Sequence, residues 1–286
     1  MLKKEKTIQI KTGVPIYLIP FADIHKGKFN SRFDLFKTKI RKYTSSNNCY
    51  FIGVGDIFDA ISLEDARFTL SQLQGMHGKQ FVDDYIMAYI EEFVKEWESL
   101  NIQQGQVLGV AEGNHEQTFA KKTGINPTKE FCKRIGVDYL AYSGYYTLHL
   151  VDEYKHANNV HIRYHHGYGG GTRTGGAPIT KYEKDMMNSN AHIFIYGHDH
   201  VRDIKPYTYD LLSASGNFTH QIQRLLVLTG GWEDNRMITE YPSFSERKMY
   251  GPSNMGFIKI PIVVKSRRHG TDSANNRRVV EFPIFE

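Results

Sequence analysis

The sequence predicts an α/β protein whose strands deliver polar side chains to one edge. Short runs rich in Ile, Val, Tyr and Phe alternate with segments of helical periodicity, as in folds where helices pack on sheets. Five of those runs are followed at once by Asp, Asn, Glu or His.

In chain order, residues 15–21, 50–54, 107–110, 160–164 and 193–196 read as buried strands, being short and β-branched or aromatic. Residues 32–43, 81–100 and 128–135 read as helices. The longest carries Phe81, Tyr85, Ala88, Tyr89, Phe93 and Trp97 at spacings of three and four, an expected core stripe. Beyond residue 220 the character changes: 221–229, 256–264 and 278–285 read as strands without a helix between them. With no low-complexity linker before it, 220–286 is expected to be a C-terminal β extension of a single domain spanning 1–286.

Composition narrows the class. The 286 residues include 36 Lys and Arg against 31 Asp and Glu, a formal charge of +5, and 40% are hydrophobic, enough for a substantial core. Every apolar run is broken well before the roughly 18 residues a spanning helix needs, so no membrane association is expected. The basic start, Met1 to Lys6, has no apolar segment behind it, and the two cysteines, Cys49 and Cys132, lie in apolar settings without partners at metal-like spacing. Both features fit a reducing cytoplasm.

The chemistry-bearing residues follow the five strands as Ala22-Asp23-Ile24-His25, Gly55-Asp56-Ile57-Phe58-Asp59, Glu112-Gly113-Asn114-His115-Glu116, His165-His166-Gly167 and Gly197-His198-Asp199-His200. Any one could be a turn or a helix cap. Two imidazoles one residue apart at a strand end are poor core material, and loops beyond the carboxyl ends of strands are where α/β sites assemble. Oxygen and imidazole donors without thiolates suit Mn, Fe, Zn or a related divalent ion.

As an ordered set, running from Asp23 to His200, these blocks resemble the signature of the calcineurin-like metallophosphoesterase superfamily. The resemblance implies two mixed β-sheets packed as a sandwich flanked by helices, an αββα arrangement with a two-metal centre at one edge. It also implies ligand roles: Asp23, His25 and His200 on one ion, Asn114, His166 and His198 on the other, and Asp56 between them. His115 would be the general acid or transition-state stabiliser, oriented by Asp59. The resemblance places its ligand directly before the glycine, which selects His166 over His165. Two divalent cations are the implied cofactors, Mn first, with Fe, Zn or another ion as alternatives.

After His166 the run Tyr168-Gly169-Gly170-Gly171-Thr172-Arg173 could present backbone amides and the Arg173 guanidinium to a phosphate, or be a surface loop. Asp59 is followed by Ala60-Ile61 rather than Arg-Gly, which argues against a protein Ser/Thr phosphatase. Expected partners are a phosphoester substrate, DNA or RNA among them, with the small basic excess, the local cluster at Lys265, Arg267, Arg268, Arg277 and Arg278, and the 18 tyrosines in weak support. The expected activity is a metal-dependent phosphodiesterase or nuclease, with a small-phosphoester hydrolase and a non-catalytic binding protein as alternatives. Homo-oligomerisation is left open.

Overall fold

The computed structural model describes residues 1–60, 80–103, 105–169, 177–212, 219–236, 254–268 and 276–283. Its strands are β1 (Leu2–Gln9), β2 (Ile16–Phe21), β3 (Cys49–Val54), β4 (Val107–Ala111), β5 (Ser143–Val151), β6 (Ala157–His165), β7 (Ile193–Tyr196), β8 (Arg202–Leu212), β9 (Thr219–Thr229), β10 (Ile260–Arg268) and β11 (Asn276–Glu281). The helices are α1 (Phe33–Thr44), α2 (Gln80–Glu98), α3 (Asn114–Thr123), α4 (Pro127–Ile135) and α5 (Ala177–Met187).

Two mixed sheets form, ordered β1-β5-β6-β7-β9-β8 and β11-β10-β2-β3-β4. Their inner faces share one apolar core, in which Leu18, Ile52 and Ile262 of the second sheet meet Leu148, Ile162 and Val227 of the first. The outer face of the five-stranded sheet packs against α1, α2 and α4 through Phe21, Phe36, Phe93, Trp97 and Phe131. Tyr182 and Met186 of α5 cover Phe194 and Tyr196 on the other outer face. The result is a four-layer αββα sandwich.

Local chemistry explains the element ends. Asn126 caps α4 by accepting from the Lys129 amide at 2.9 Å, Pro127 occupies the first turn, and Gly136 closes the helix in the left-handed region. Pro20 sits within β2, yet β10 pairs only with residues 16–18 of that strand, so its missing N–H costs no ladder bond. Pro206 lies on β8, an edge strand, where the same logic applies.

Three strands and two helices were outside the sequence expectation. β1, β5 and β8 each bury a single face or none fully, and their polar positions dilute the signal a buried strand gives. α3 begins within the Asn-His motif and buries only Phe119 among its apolar side chains, and α5 follows the glycine-rich run. On α2 the described core face is Ile90, Phe93 and Trp97, continued by Leu100, while Ala88 is exposed. Phe81 and Tyr85 fall among side chains outside the described set. No described helix is long and apolar enough to cross a membrane. Cys49 and Cys132 are free and buried.

Candidate metal centre

Strands β2, β3 and β4 run parallel in one sheet and β6 and β7 run parallel in the other, so their carboxyl ends come out at one edge of the sandwich. Backbone hydrogen bonds then stitch the loops together: Asp23 N to Gly55 O at 3.0 Å, His25 N to Asp56 O at 3.0 Å, and Gly197 N to His166 O at 2.9 Å. The approach is close enough to require glycine. A Cβ on Gly55 would lie 2.8 Å from the Glu112 carbonyl and run into the His166 ring; one on Gly113 would lie 2.6 Å from Asp56 Cγ.

These loops are also strained. Asp23, His25, Asp56, His198 and His200 all have positive φ, at 52°, 48°, 49°, 71° and 55°. Such backbone angles are uncommon for residues other than glycine, and they persist only where surrounding structure enforces them. Their concentration on five chemistry-bearing residues marks a functional site independently of side-chain type.

Three overlapping groups of donor atoms result among the described residues: Asp23, His25 and His200; His25, Asp56 and His115; and Asp56, His166 and His198. His25 Nε2 lies 3.3 Å from His200 Nε2 and 4.0 Å from Asp23 Oδ1 in the first group, and 3.9 Å from Asp56 Oδ2 in the second. Beside the third, Asn114 Oδ1 lies 3.1 Å from His166 Nε2 and 2.9 Å from His198 Nδ1, and His166 Nε2 is 3.2 Å from Asp56 Oδ2. Neighbouring donors around a cation bound at about 2.1 Å are themselves roughly 3–3.5 Å apart, a spacing that the donors around Asn114 and His166 and the His25–His200 pair have, while the aspartates stand somewhat farther from His25. Asp23 is completely buried and its Oδ1 has no hydrogen-bond partner among the described residues, while its Oδ2 accepts from the His198 amide at 2.9 Å. A buried carboxylate oxygen facing two imidazoles without a proton donor is what a ligand set for divalent ions looks like.

His115, at the start of α3, is placed by Asp59. Its Nδ1 donates to the Asp59 backbone carbonyl at 2.8 Å and lies 3.3 Å from Asp59 Oδ1. The His115 backbone amide donates to Asp56 Oδ1 at 3.0 Å, and its Nε2 is 3.9 Å from Asp56 Oδ2. Thus both the ring and the helix N-terminus face the shared carboxylate. Glu116 locks this geometry: its buried carboxylate accepts from the amides of Asp56 at 3.2 Å, Phe58 at 2.9 Å and Gly113 at 2.9 Å. Glu112 accepts from Tyr139 Oη at 2.6 Å and from Asn126, tying the same loop to the cap of α4.

Burial sets the protonation pattern. It raises the Asp23 carboxyl well above the usual range, and the Asp56 charge adds to this. For Asp56 burial is outweighed by the charges of His166 and His115, which hold it well below that range. His166 is pushed to about 10, because the Asp56 and Asp23 charges overcome the burial that would lower it. Burial lowers His200 to about 3 and raises Glu116 to about 7, in the latter case with the Asp56 charge. Hydrogen bonds and charge from His115 and His25 overcome burial at Asp59 and keep it ionised.

His166 rather than His165 enters the donor groups. His165 Nδ1 instead accepts from the Gly167 amide at 2.9 Å, and burial lowers the ring to about 4. Gly169 presents its carbonyl to His198 Nε2 at 2.5 Å. Gly170, Gly171 and Arg173 lie outside the described residues, as do the side chains of Arg267, Arg268, Arg277 and Arg278.

One residue escaped the sequence reading. Glu233 is buried, with Oε1 3.5 Å from His25 Nε2 and 2.5 Å from Lys28 Nζ. It follows β9 in the stretch Thr229-Gly230-Gly231-Trp232-Glu233, a sixth strand end carrying glycine and a carboxylate, and the rule applied to the other five would have found it.

The chain has remote likenesses among solved structures. The likeness to the calcineurin-like phosphoesterase YfkN from Bacillus subtilis has a TM-score of 0.38 at 12% identity, covering 94% of this chain and 91% of that one. Vacuolar Protein Sorting 29 from Cryptosporidium parvum gives 0.36 at 11% identity over 94% and 96%, and a predicted phosphoesterase from Streptococcus pneumoniae gives 0.34 at 11% over 94% and 99%. No protein-family model matches the sequence, and no curated protein matches it. These likenesses are remote, and the chemistry is read from this chain's own residues.

Proposed function

We propose that the protein is a metal-dependent phosphoesterase holding two divalent cations, and that it hydrolyses phosphodiester bonds, with DNA or RNA in its substrate class. The observation that carries the reading is the run of three overlapping donor groups linked through His25 and Asp56, with the buried Asp23 Oδ1, which has no hydrogen-bond partner among the described residues, in the first of them. Asp23, His25, His200 and Asp56 would hold one cation; Asn114, His166, His198 and Asp56 would hold the other. When bound, such ions supply Lewis-acid stabilisation of a phosphoryl group and a coordinated water of lowered pKa.

The remaining work falls to the chain. Held through Nδ1 by Asp59, His115 keeps Nε2 directed at the Asp56 side of the site, where a proton on that nitrogen serves the leaving oxygen. General acid catalysis of this kind contributes about 10²–10⁴-fold. Glu116 and Glu112 keep the His115 loop from drifting. A preference for diesters is supported by the net charge of +5 and by Ala60-Ile61 after Asp59, where the protein phosphatase pattern would have Arg-Gly.

The test is a hydrolysis panel with Mn²⁺: a nitrophenyl diester, the monoester, single- and double-stranded DNA and cyclic nucleotides. His115→Ala is expected to lower kcat by about 10²–10⁴-fold while bound Mn²⁺ is unchanged. Turnover of the monoester alone would shift the reading to small phosphoesters. Bound Mn²⁺ with no turnover of any substrate would leave a binding protein.

A further inference from the structure

We infer that Glu233 is a further protein ligand to the cation held by Asp23, His25 and His200, with Lys28 competing for its carboxylate; the inference rests on the two-cation reading above. Four donor atoms from four different loops surround His25 Nε2: His200 Nε2 at 3.3 Å, Glu233 Oε1 at 3.5 Å, Asp56 Oδ2 at 3.9 Å and Asp23 Oδ1 at 4.0 Å. Glu233 is thus nearer to that nitrogen than either aspartate.

Placement of Glu233 is built into the fold. Trp232 is buried against Phe36 and Phe257, its amide donates to the Asp23 carbonyl at 2.9 Å, and its carbonyl accepts from the Arg32 amide at 2.6 Å. Glu233 itself makes an antiparallel bridge to Ser31. Gly231 allows this loop to lie against His200: a Cβ there would be 2.9 Å from the ring. The loop therefore fixes the carboxylate relative to Asp23 and His200 together. Only 3% exposed, the carboxylate is held away from water between Lys28 and His25, so its charge depends on cationic partners inside the site.

Mn²⁺ binding separates a ligand from a structural ion pair. Free Mn²⁺ is counted by electron paramagnetic resonance during titration of the wild type, Glu233→Gln, Lys28→Met and Asp23→Asn, with thermal melting in chelator as the folding control. Glu233→Gln is expected to weaken one of the two bound ions by about 10–100-fold, the range typical when a group supporting a metal is removed. Lys28→Met is expected to bind Mn²⁺ as tightly as the wild type or more tightly. Wild-type affinity in Glu233→Gln would overturn the assignment, as would weakened binding in Lys28→Met. Should Glu233→Gln fail to fold, Lys28→Met decides between the two alone. A wild type that binds no Mn²⁺, with Asp23→Asn indistinguishable from it, would instead sink the two-cation reading on which the inference stands.

Discussion

Gly113→Ala isolates the close approach on which the site depends. Gly113 has φ near −109°, so alanine meets no backbone penalty there and the whole effect is steric. The new Cβ would lie 2.6 Å from Asp56 Cγ and nearer still to its Oδ1 and backbone nitrogen, against an ordinary contact of 3.4 Å or more. The two loops must therefore part by about 1 Å, against the hydrogen bond by which Glu116 anchors the Asp56 backbone amide. Overpacking costs typically 1–3 kcal/mol, and loss of the hydrogen bond from His115 N to Asp56 Oδ1 leaves buried partners unsatisfied for about 1–3 kcal/mol more. At roughly 2 °C per kcal/mol for a chain of this size, the melting temperature should fall by about 4–12 °C. Mn²⁺ affinity should fall with it, since Asp56 belongs to two of the three donor groups. Gly124→Ala is the control: its φ of 80° is strained but its Cβ meets nothing within 4 Å, so a loss of about 1 kcal/mol without an effect on Mn²⁺ is expected. A Gly113→Ala protein that melts and binds Mn²⁺ like the wild type would refute the reasoning.

Two predictions concern the frame around the site. Trp232→Ala should destabilise the fold by about 3–5 kcal/mol, because the indole is buried between Phe36 and Phe257, and chemical denaturation should register it; a change under 1 kcal/mol would mean the aromatic cluster does not anchor this loop. His192 predicts a pH dependence remote from the candidate metal centre. Burial, together with the charges of His161 and Arg224, lowers it to about 4, and its Nδ1 accepts from the His161 amide at 3.0 Å, a role only the unprotonated nitrogen can play. The unfolded ring titrates near ~6.5, so between pH 6.5 and 4 the unfolded chain binds more protons than the native one. Its contribution to stability is complete above pH 6.5 and disappears as pH falls toward 4. In His192→Gln, urea midpoints across that window should decline less steeply than in the wild type; equal slopes would count against a buried neutral imidazole.

How far the sequence could be read varied with the physics of each element. Buried strands such as β3 and β7 announce themselves because apolar residues fill both faces, whereas β5 buries alternate residues and keeps Thr147 and His149 on its other face. The residues that the structure brings together at this edge could be picked out because each follows such a strand. Glu233 could not, because β9 lay in a stretch read only as an appended β segment; its position beside His25 follows once β9 pairs with β7 and points the same way.

By itself the sequence determined the chemistry of the donors, their order along the chain and their position just past strands, since these follow from side-chain type and local periodicity. Tertiary structure alone decided that the loops meet at one edge, that five of the residues adopt strained left-handed backbone, and that Glu233 lies beside His25. Those features arise from the register of parallel strands in two different sheets and from backbone contacts between residues far apart in the chain, and no local pattern of residues encodes such distances.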